Sequence, residues 1–337
     1  MLYLLFFIYL AFACFIGTRV SFLKNSGLTN RLLLILFFIK VAAGLVLGYI
    51  SIHYYPGNDY EALNYYGQEE YKLLMKSPSD FLTSTFTSLY PDKYGHLFSA
   101  TGSFWNDLED TLLSKLLAIF NIFSRGNYYI NSLFFNCIGF FAPVALFRMF
   151  DNIYTQKKDL LILGCFLIPS TLYFSSGLHK DAIIFTAMAF YLYSFYFSVY
   201  KKFTTRRVIL LIISFIVILL LRNFIGLILL PLSVLFIVTQ RMKWKPLLSF
   251  GIFFGIVVLV LILLPSETNP LSILVRRRAD FEAISTANSA LPVMHLEPSV
   301  LSMLKNFPAA VSHVFLLPYP WSLQTIWLLP FVLEMLA

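Results

Sequence analysis

Apolar runs long enough to cross a bilayer recur along the whole 337-residue chain. A helix needs about 20 mostly apolar residues to span roughly 30 Å of hydrocarbon. The pattern therefore predicts an all-α fold, a polytopic transmembrane helical bundle of about nine spans. The predicted spans are 1–17, 32–54, 128–150, 159–176, 181–200, 207–221, 224–240, 247–264 and 313–337.

The composition favours the bilayer over water as the main solvent. The chain is 59% hydrophobic and 12% charged, whereas a soluble domain is about a quarter charged. No Pro/Gly/Ser-rich linker divides it, so we predict a single membrane domain over residues 1–337. The net charge of +8 lies mostly in short loops, which favours membrane lipids and not nucleic acid as partners. The three cysteines fall inside predicted spans, where packing is the expected role.

The distribution of basic residues predicts which face of the membrane each loop occupies. Loops rich in lysine and arginine stay cytoplasmic. Because four alternate loops are basic, we expect the N-terminus outside and two long segments, 55–127 and 265–312, on the outer face. The first contains an amphipathic stretch, 110–120, that suits a lateral helix in the membrane interface. The basic loop residues are Arg19, Lys24, Arg31, Arg148, Lys157, Lys158, Lys201, Lys202, Arg206, Arg207, Arg241, Lys243 and Lys245.

Three groups of cations break this pattern, namely Lys180, Arg222 and the run 276–278. A cation at the membrane edge is costly unless it snorkels, pairs with an acid or meets an anionic ligand. The arginine fork suits a phosphate or pyrophosphate, so we predict Lys180, Arg222 and Arg277 as phosphate-binding residues. A local ion pair of Lys180 with Asp181 is the alternative, and the arginine run also suits a solvated or lipid-facing helix face.

Acidic and imidazole groups on the predicted outer face are candidate catalytic residues. Asp59 and Glu61 follow the second span among several tyrosines, and His179 precedes Lys180. Such groups can take a proton from a sugar hydroxyl as a general base, and aromatic rings suit pyranose stacking. The sequence before Asp59 is also an ordinary turn signal. No metal motif and no Gly-rich nucleotide loop occurs, so neither a metal site nor ATP-driven chemistry is expected.

Four short motifs in these segments carry a family resemblance. They are Pro169-Ser170 with Ser175, Gly177 and Lys180-Asp181; Leu221-Arg222-Asn223; Gly57 with Asp59 and Tyr65; and Leu317-Pro318-Tyr319-Pro320-Trp321 followed by Glu334. Together they resemble the broad class of bacterial membrane glycosyltransferases and O-antigen-type polymerases that use lipid-linked sugars. The chain departs from that pattern in having Tyr173-Phe174 where tryptophan is expected and Leu317 where an arginine often stands.

The resemblance implies glycosyl transfer at the outer leaflet of a bacterial inner membrane, in surface polysaccharide assembly. A polyprenyl-(pyro)phosphate-linked sugar would be the donor and a glycan the acceptor. No diffusible cofactor is required, and a divalent cation at the phosphate is left open. A polymerase-like protein is favoured over one like the GT-C glycosyltransferases, because the long external segment follows the second span rather than the first.

Two other classes stay open on the sequence alone. One is a transporter or flippase for a lipid-linked or anionic solute, which would show charges at mid-bilayer depth, broken helices or internal repeats. The other is a structural subunit of an envelope complex, whose outer charges would tolerate mutation.

Overall fold

A computed structural model describes residues 2–54, 58–85, 104–265, 269–284, 295–322 and 326–336. Its regular structure is helical and no strand occurs within these ranges, so the predicted all-α class is confirmed. The helices are, in chain order, α1 (Leu2–Gly17), α2 (Ser21–Lys24), α3 (Asn30–Tyr54), α4 (Asp59–Lys76), α5 (Pro78–Thr83), α6 (Phe104–Ser124), α7 (Tyr128–Gly139), α8 (Phe141–Ile153), α9 (Lys158–Ile162), α10 (Pro169–Phe174), α11 (Lys180–Tyr200), α12 (Thr205–Leu221), α13 (Asn223–Arg241), α14 (Pro246–Leu263), α15 (Pro270–Ile284), α16 (Val300–Leu316) and α17 (Leu329–Leu336).

Five helical segments in the described ranges are long and apolar enough to cross a membrane. They are α3, α7 continued by α8, α11, α13 and α14. Helices α1 and α16 are apolar but shorter. The chain thus carries several membrane-length helices, as predicted, while the count of about nine spans and the orientation of the N-terminus stay predictions.

The structure differs from the predicted spans at two places where proline interrupts an apolar run. Over 159–176 the chain forms α9, a π-helical turn (Leu163–Leu167), an extended residue at Ile168 and then α10. Pro169 lacks an N–H and disfavours a helical conformation at the residue before it, which explains the break. Over 313–337, α16 ends at Leu316 before Leu317-Pro318, and the α-helix resumes only at α17.

The chain folds into two compact units, Met1–Thr87 with Glu109–Leu227 and Ser88–Leu108 with Ile228–Ala337. In the first unit, one apolar cluster joins α3 to α7 and α8, and a second joins α4, α6, α7 and the start of α11. In the second unit, α14 packs against α16. The large apolar side chains of α14 are mostly exposed, which suits a lipid environment better than water.

The predicted amphipathic stretch 110–120 lies within α6. Leu113 and Leu117 are buried, whereas Ile119 is exposed. Close packing of α6 against α4 needs a glycine at Gly67, because an added Cβ would lie 2.6 Å from Leu117 Cβ. A buried amide network also joins α4, α6 and α7. In it, Asn131 Nδ2 donates to Asn64 Oδ1 at 3.0 Å and to Asn121 Oδ1 at 2.8 Å. These contacts fix α4 against α6 and the start of α7.

Candidate functional site

Two helix starts bring the predicted catalytic residues together. Asn58 caps α4 by accepting hydrogen bonds from the backbone N–H groups of Tyr60 at 3.0 Å and Glu61 at 3.1 Å. Its Nδ2 donates to the Ser51 carbonyl at 3.1 Å, so α4 folds back beside the end of α3. The cap places Asp59 in the first turn of α4.

His179 occupies the equivalent capping position at the start of α11. Its Nδ1 lies 3.3 Å from the backbone nitrogen of Asp181 and 3.1 Å from Asp181 Oδ2. Its Nε2 lies 3.9 Å from Asp59 Oδ2. The His179 side chain is 15% exposed and that of Asp59 is 91% exposed. The two contacts of Nδ1 favour different tautomers. When Nδ1 accepts from the backbone N–H of Asp181, the neutral ring carries its proton on Nε2. When Nδ1 carries the proton and donates it to the Asp181 carboxylate, the Nε2 lone pair is free to act as a base.

Both predicted cations of this unit are paired with carboxylates that lie far away in sequence. Arg222 Nη2 lies 3.2 Å from Asp181 Oδ1, and Lys180 Nζ lies 2.6 Å from Glu109 Oε1. The alternative of a local pair between Lys180 and Asp181 is therefore not what the structure shows. Adjacent residues on a helix point in different directions, so Asp181 faces Arg222 and His179 while Lys180 faces α6.

Glu109 is a functional candidate that sequence reasoning missed. Only 8% of the residue is exposed, and this burial raises the pKa of its carboxyl group despite the opposing effect of Lys180. A signal for its position existed, because Glu109, Leu113 and Leu117 recur at four-residue spacing on one helical face. Asp181 was recognised only as a neighbour of Lys180.

A tyrosine forms one wall of this site. The Tyr60 ring centroid lies 5.1 Å from that of His179, and burial raises the pKa of the Tyr60 hydroxyl well above its usual range. Gly177 packs against the same ring, since an added Cβ would lie 2.6 Å from Tyr60 Cε1 and would also collide with Leu47. The phenol is therefore a neutral, fixed surface beside the imidazole.

Glu61 and Arg277 complete the predicted site residues. Glu61 is half-buried in the first turn of α4, and it is Asp59 rather than Glu61 that approaches His179. Arg277 belongs to α15 in the second unit, and its side chain lies outside the described residues. Of the other histidines, His53 stacks on Tyr49 with ring centroids 4.3 Å apart. His96 lies outside the described residues.

The arrangement combines anion-binding and proton-accepting groups. Two cations lie at the starts of α11 and α13, where helix N-termini favour negative charge. A histidine held by one carboxylate lies directly beside them. Across the described ranges, no group of three or more histidine, cysteine, aspartate or glutamate side chains is arranged to hold a metal ion. In comparisons with known proteins, the chain matches no family model, no curated protein and no solved structure.

Proposed function

We propose that this protein transfers a glycosyl group at the outer leaflet of a bacterial inner membrane. The donor is a polyprenyl-(pyro)phosphate-linked sugar, and the acceptor is a glycan or lipid-linked glycan. The observation that carries the proposal is the convergence of His179, Lys180 and Arg222 on two acids, Asp181 and Glu109. The transfer needs two kinds of group: cations that bind the phosphate of the donor and a base that accepts the proton of the acceptor hydroxyl.

On the donor side, Arg222 and Lys180 bind the phosphate. Their side chains are 36% and 28% exposed, so donors stay accessible beside the existing ion pairs. A guanidinium has five N–H donors, and the one contact from Nη2 to Asp181 leaves others for phosphate oxygens. As the bond between the anomeric carbon and the phosphate oxygen breaks, negative charge grows on the phosphate, and these cations stabilise it.

On the acceptor side, His179 is the general base. Nε2 removes the proton of the acceptor hydroxyl while that oxygen attacks the anomeric carbon. Asp181, held at Nδ1, stabilises the imidazolium that forms. Asp59 lies on the exposed side of Nε2, where its carboxylate accepts a hydrogen bond from the incoming sugar. General base catalysis contributes about 10² to 10⁴ in rate.

The test compares lipid-linked oligosaccharides in cells that lack the protein with cells that carry wild type, Arg222→Ala or Arg207→Ala. Arg207 is the matched control, because it lies near the other end of α12 and donates to the carbonyls of Phe197 and Lys202. We expect mass spectrometry to show a build-up that wild type and Arg207→Ala relieve and Arg222→Ala does not.

The species that builds up identifies the type of transfer. Complete single repeat units support a polymerase, which the sequence favours, whereas a unit short by one sugar supports a monosaccharide transferase. A profile that is unchanged without the protein, or that Arg222→Ala restores as well as wild type does, would contradict the proposed function.

One observation favours the transporter or flippase as a second candidate. Lys40 is a buried cation inside α3, and it contacts the turn that follows the interrupted segment α9–α10. Discontinuous helices with buried polar groups are a feature of transporter binding sites. A flippase defect would leave complete units on the inner leaflet, protected from a membrane-impermeant oxidant in intact cells. A polymerase defect would leave them on the outer leaflet, where the oxidant reaches them.

A further inference from the structure

Lys40 places an ionisable amino group deep inside the helix bundle of the first unit. It lies ten residues after the start of α3 and fourteen before its end, which is roughly 15 Å and about 21 Å along the helix axis. The residue is only 3% exposed. No acidic side chain forms an ion pair with it in the part of the chain that the structure describes. A buried cation in a membrane span is costly, so its presence points to a role beyond packing.

Among the residues that the structure describes, the hydrogen bonds of the Lys40 amino group all go to two adjacent residues. Nζ donates to the Ser175 carbonyl oxygen at 2.8 Å, to Ser175 Oγ at 2.7 Å and to Ser176 Oγ at 3.4 Å. An ammonium group has three donors, so these acceptors use all of them. Ser175 follows the last residue of α10, where carbonyl groups at the helix C-terminus favour a cation.

These two serines begin the turn 175–179, which leads directly into the site. Asn136 Nδ2 on α7 holds the next carbonyl, that of Ser176, at 2.9 Å. Leu178 is fully buried in the core between α4, α6, α7 and α11. The turn is therefore anchored by an amide and an apolar side chain, and the amino group of Lys40 supplies a third anchor through its hydrogen bonds.

We propose that Lys40 is a positioning residue for the site. Its amino group holds Ser175 and Ser176 at a fixed position along α3. The position of these two serines in turn fixes His179 and Lys180 at the start of α11. The inference rests on the proposed function for the role of the site. The position of the turn, however, is measurable without any activity.

The experiment measures how fast diethyl pyrocarbonate modifies individual histidines in the purified full-length protein in lipid nanodiscs. Lys40→Met keeps the side-chain length and removes all three donors. We expect the modification rate of His179, whose side chain is 15% exposed, to rise severalfold when the turn is released. His53 should keep its wild-type rate, because its Nδ1 contact is to Tyr49 of the same helix, at 3.0 Å. A rise at both histidines would indicate general loosening and would overturn the inference.

Leu33→Ala is the matched control on the same helix. Leu33 is buried in the apolar cluster of α3, α7 and α8, which contains no residue of the turn. It should leave His179 at its wild-type rate even if it lowers thermal stability. An unchanged rate at His179 in a folded Lys40→Met protein would overturn the inference. If Lys40→Met does not fold, Lys40→Gln and Ser175→Ala replace it, and wild-type rates at His179 in both variants would again overturn the inference.

The lipid-linked oligosaccharide profile of the same variants separates this inference from the proposed function. A raised His179 rate together with a wild-type profile would leave the anchoring of the turn standing and would argue against the function. A wild-type modification rate at His179 would overturn the inference that Lys40 anchors the turn, whatever the oligosaccharide profile shows.

Discussion

At the scale of single residues, the carboxylates decide what the two cations can do. Lys180 and Arg222 are each paired in the ligand-free protein, so an incoming phosphate has to share or replace a carboxylate. Asp181 is the more constrained of the two acids, because it serves His179 and Arg222 together. Glu109 is the more buried acid, and burial raises the pKa of its carboxyl group.

The raised pKa of Glu109 predicts a specific pH dependence of stability. The ordinary carboxyl pKa applies to the unfolded chain and the raised pKa to the folded protein. Between these two values the folded state binds more protons, so the free energy of unfolding falls as pH rises through that window. Glu109→Gln removes the titrating group. We expect wild type to lose thermal stability relative to Glu109→Gln as pH rises through the window, measured as the difference in Tm.

A difference in Tm that stays flat across the acidic range would contradict this prediction. A difference of the opposite sign would mean that the ion pair with Lys180 outweighs burial. The structure argues against that order, because desolvation of the buried carboxyl group is the largest effect on its pKa.

Sequence reasoning identified the chemical types at the site better than their partners. The predicted residues Asp59, His179, Lys180 and Arg222 all lie near the predicted membrane edge. The structure places Asp59 near His179. Lys180 is next to His179 in sequence, and Arg222 pairs with Asp181, the carboxylate that also contacts His179. The pairing of Lys180 with Glu109 could not be predicted, because it depends on how α6 packs rather than on local spacing.

At the scale of secondary-structure elements, the turn 175–179 leads into α11 and contacts both α3 and α4. Its glycine allows α4 to approach. An added Cβ at Gly177 would collide with Leu47 and lie 2.6 Å from Tyr60 Cε1. Real Cβ atoms do not come this close, so the side chains of Leu47 and Tyr60, or the elements that carry them, must shift. Because Tyr60 lies beside Asp59 on α4 and its ring lies near that of His179, such a shift disturbs the geometry between Asp59 and His179.

Gly177→Ala is therefore expected to destabilise the protein and to impair transfer. Overpacking a close contact costs about 1–3 kcal/mol, which a lower Tm in detergent would report. Gly164→Ala is the control, since an added Cβ there meets nothing within 4 Å. It should leave Tm and the oligosaccharide profile unchanged. Equal Tm values for the two variants would show that α4 does not pack on the turn as described.

Hydropathy predicted several long apolar helices but not the interruptions between other helices. The ranges predicted for α3, α11, α12, α13 and α14 agree with the structure to within a few residues, because uniform apolar runs leave few other conformations in lipid. The break at Pro169 lies within an equally apolar run. Mean hydropathy therefore does not predict this break, nor the end of α16 before Pro318. Proline alone does not predict them either, because Pro231 lies inside α13 and Pro308 inside α16.

At the scale of the whole molecule, the proposed function depends on which side of the membrane the site faces. Helix α12 is a predicted span that is not among the five membrane-length helices. Its 17 residues make it about 25 Å long. Arg206 is exposed at its start and Arg222, in the site, follows its end. Basic residues cluster near Arg206, which predicts that this end is cytoplasmic.

Labelling of single cysteines tests this orientation. The native Cys14, Cys137 and Cys165 are first replaced by alanine, and Glu69→Cys or Arg206→Cys is then introduced, both at exposed positions. We expect a membrane-impermeant maleimide to label Glu69→Cys in intact cells, because Glu69 is on α4, the helix that carries Asp59. Arg206→Cys should react only after the cells are permeabilised.

The reversed labelling pattern would put the site on the cytoplasmic side, where the outer-leaflet donor cannot reach it, and the proposed glycosyl transfer would fail. Labelling of both positions in intact cells would mean that α12 does not cross the membrane, and Arg222 would then lose its predicted depth at the phosphate. The expected pattern is the one that the proposed lipid-linked substrate requires, with its phosphate at the membrane edge and its sugar extending towards His179 and Asp59.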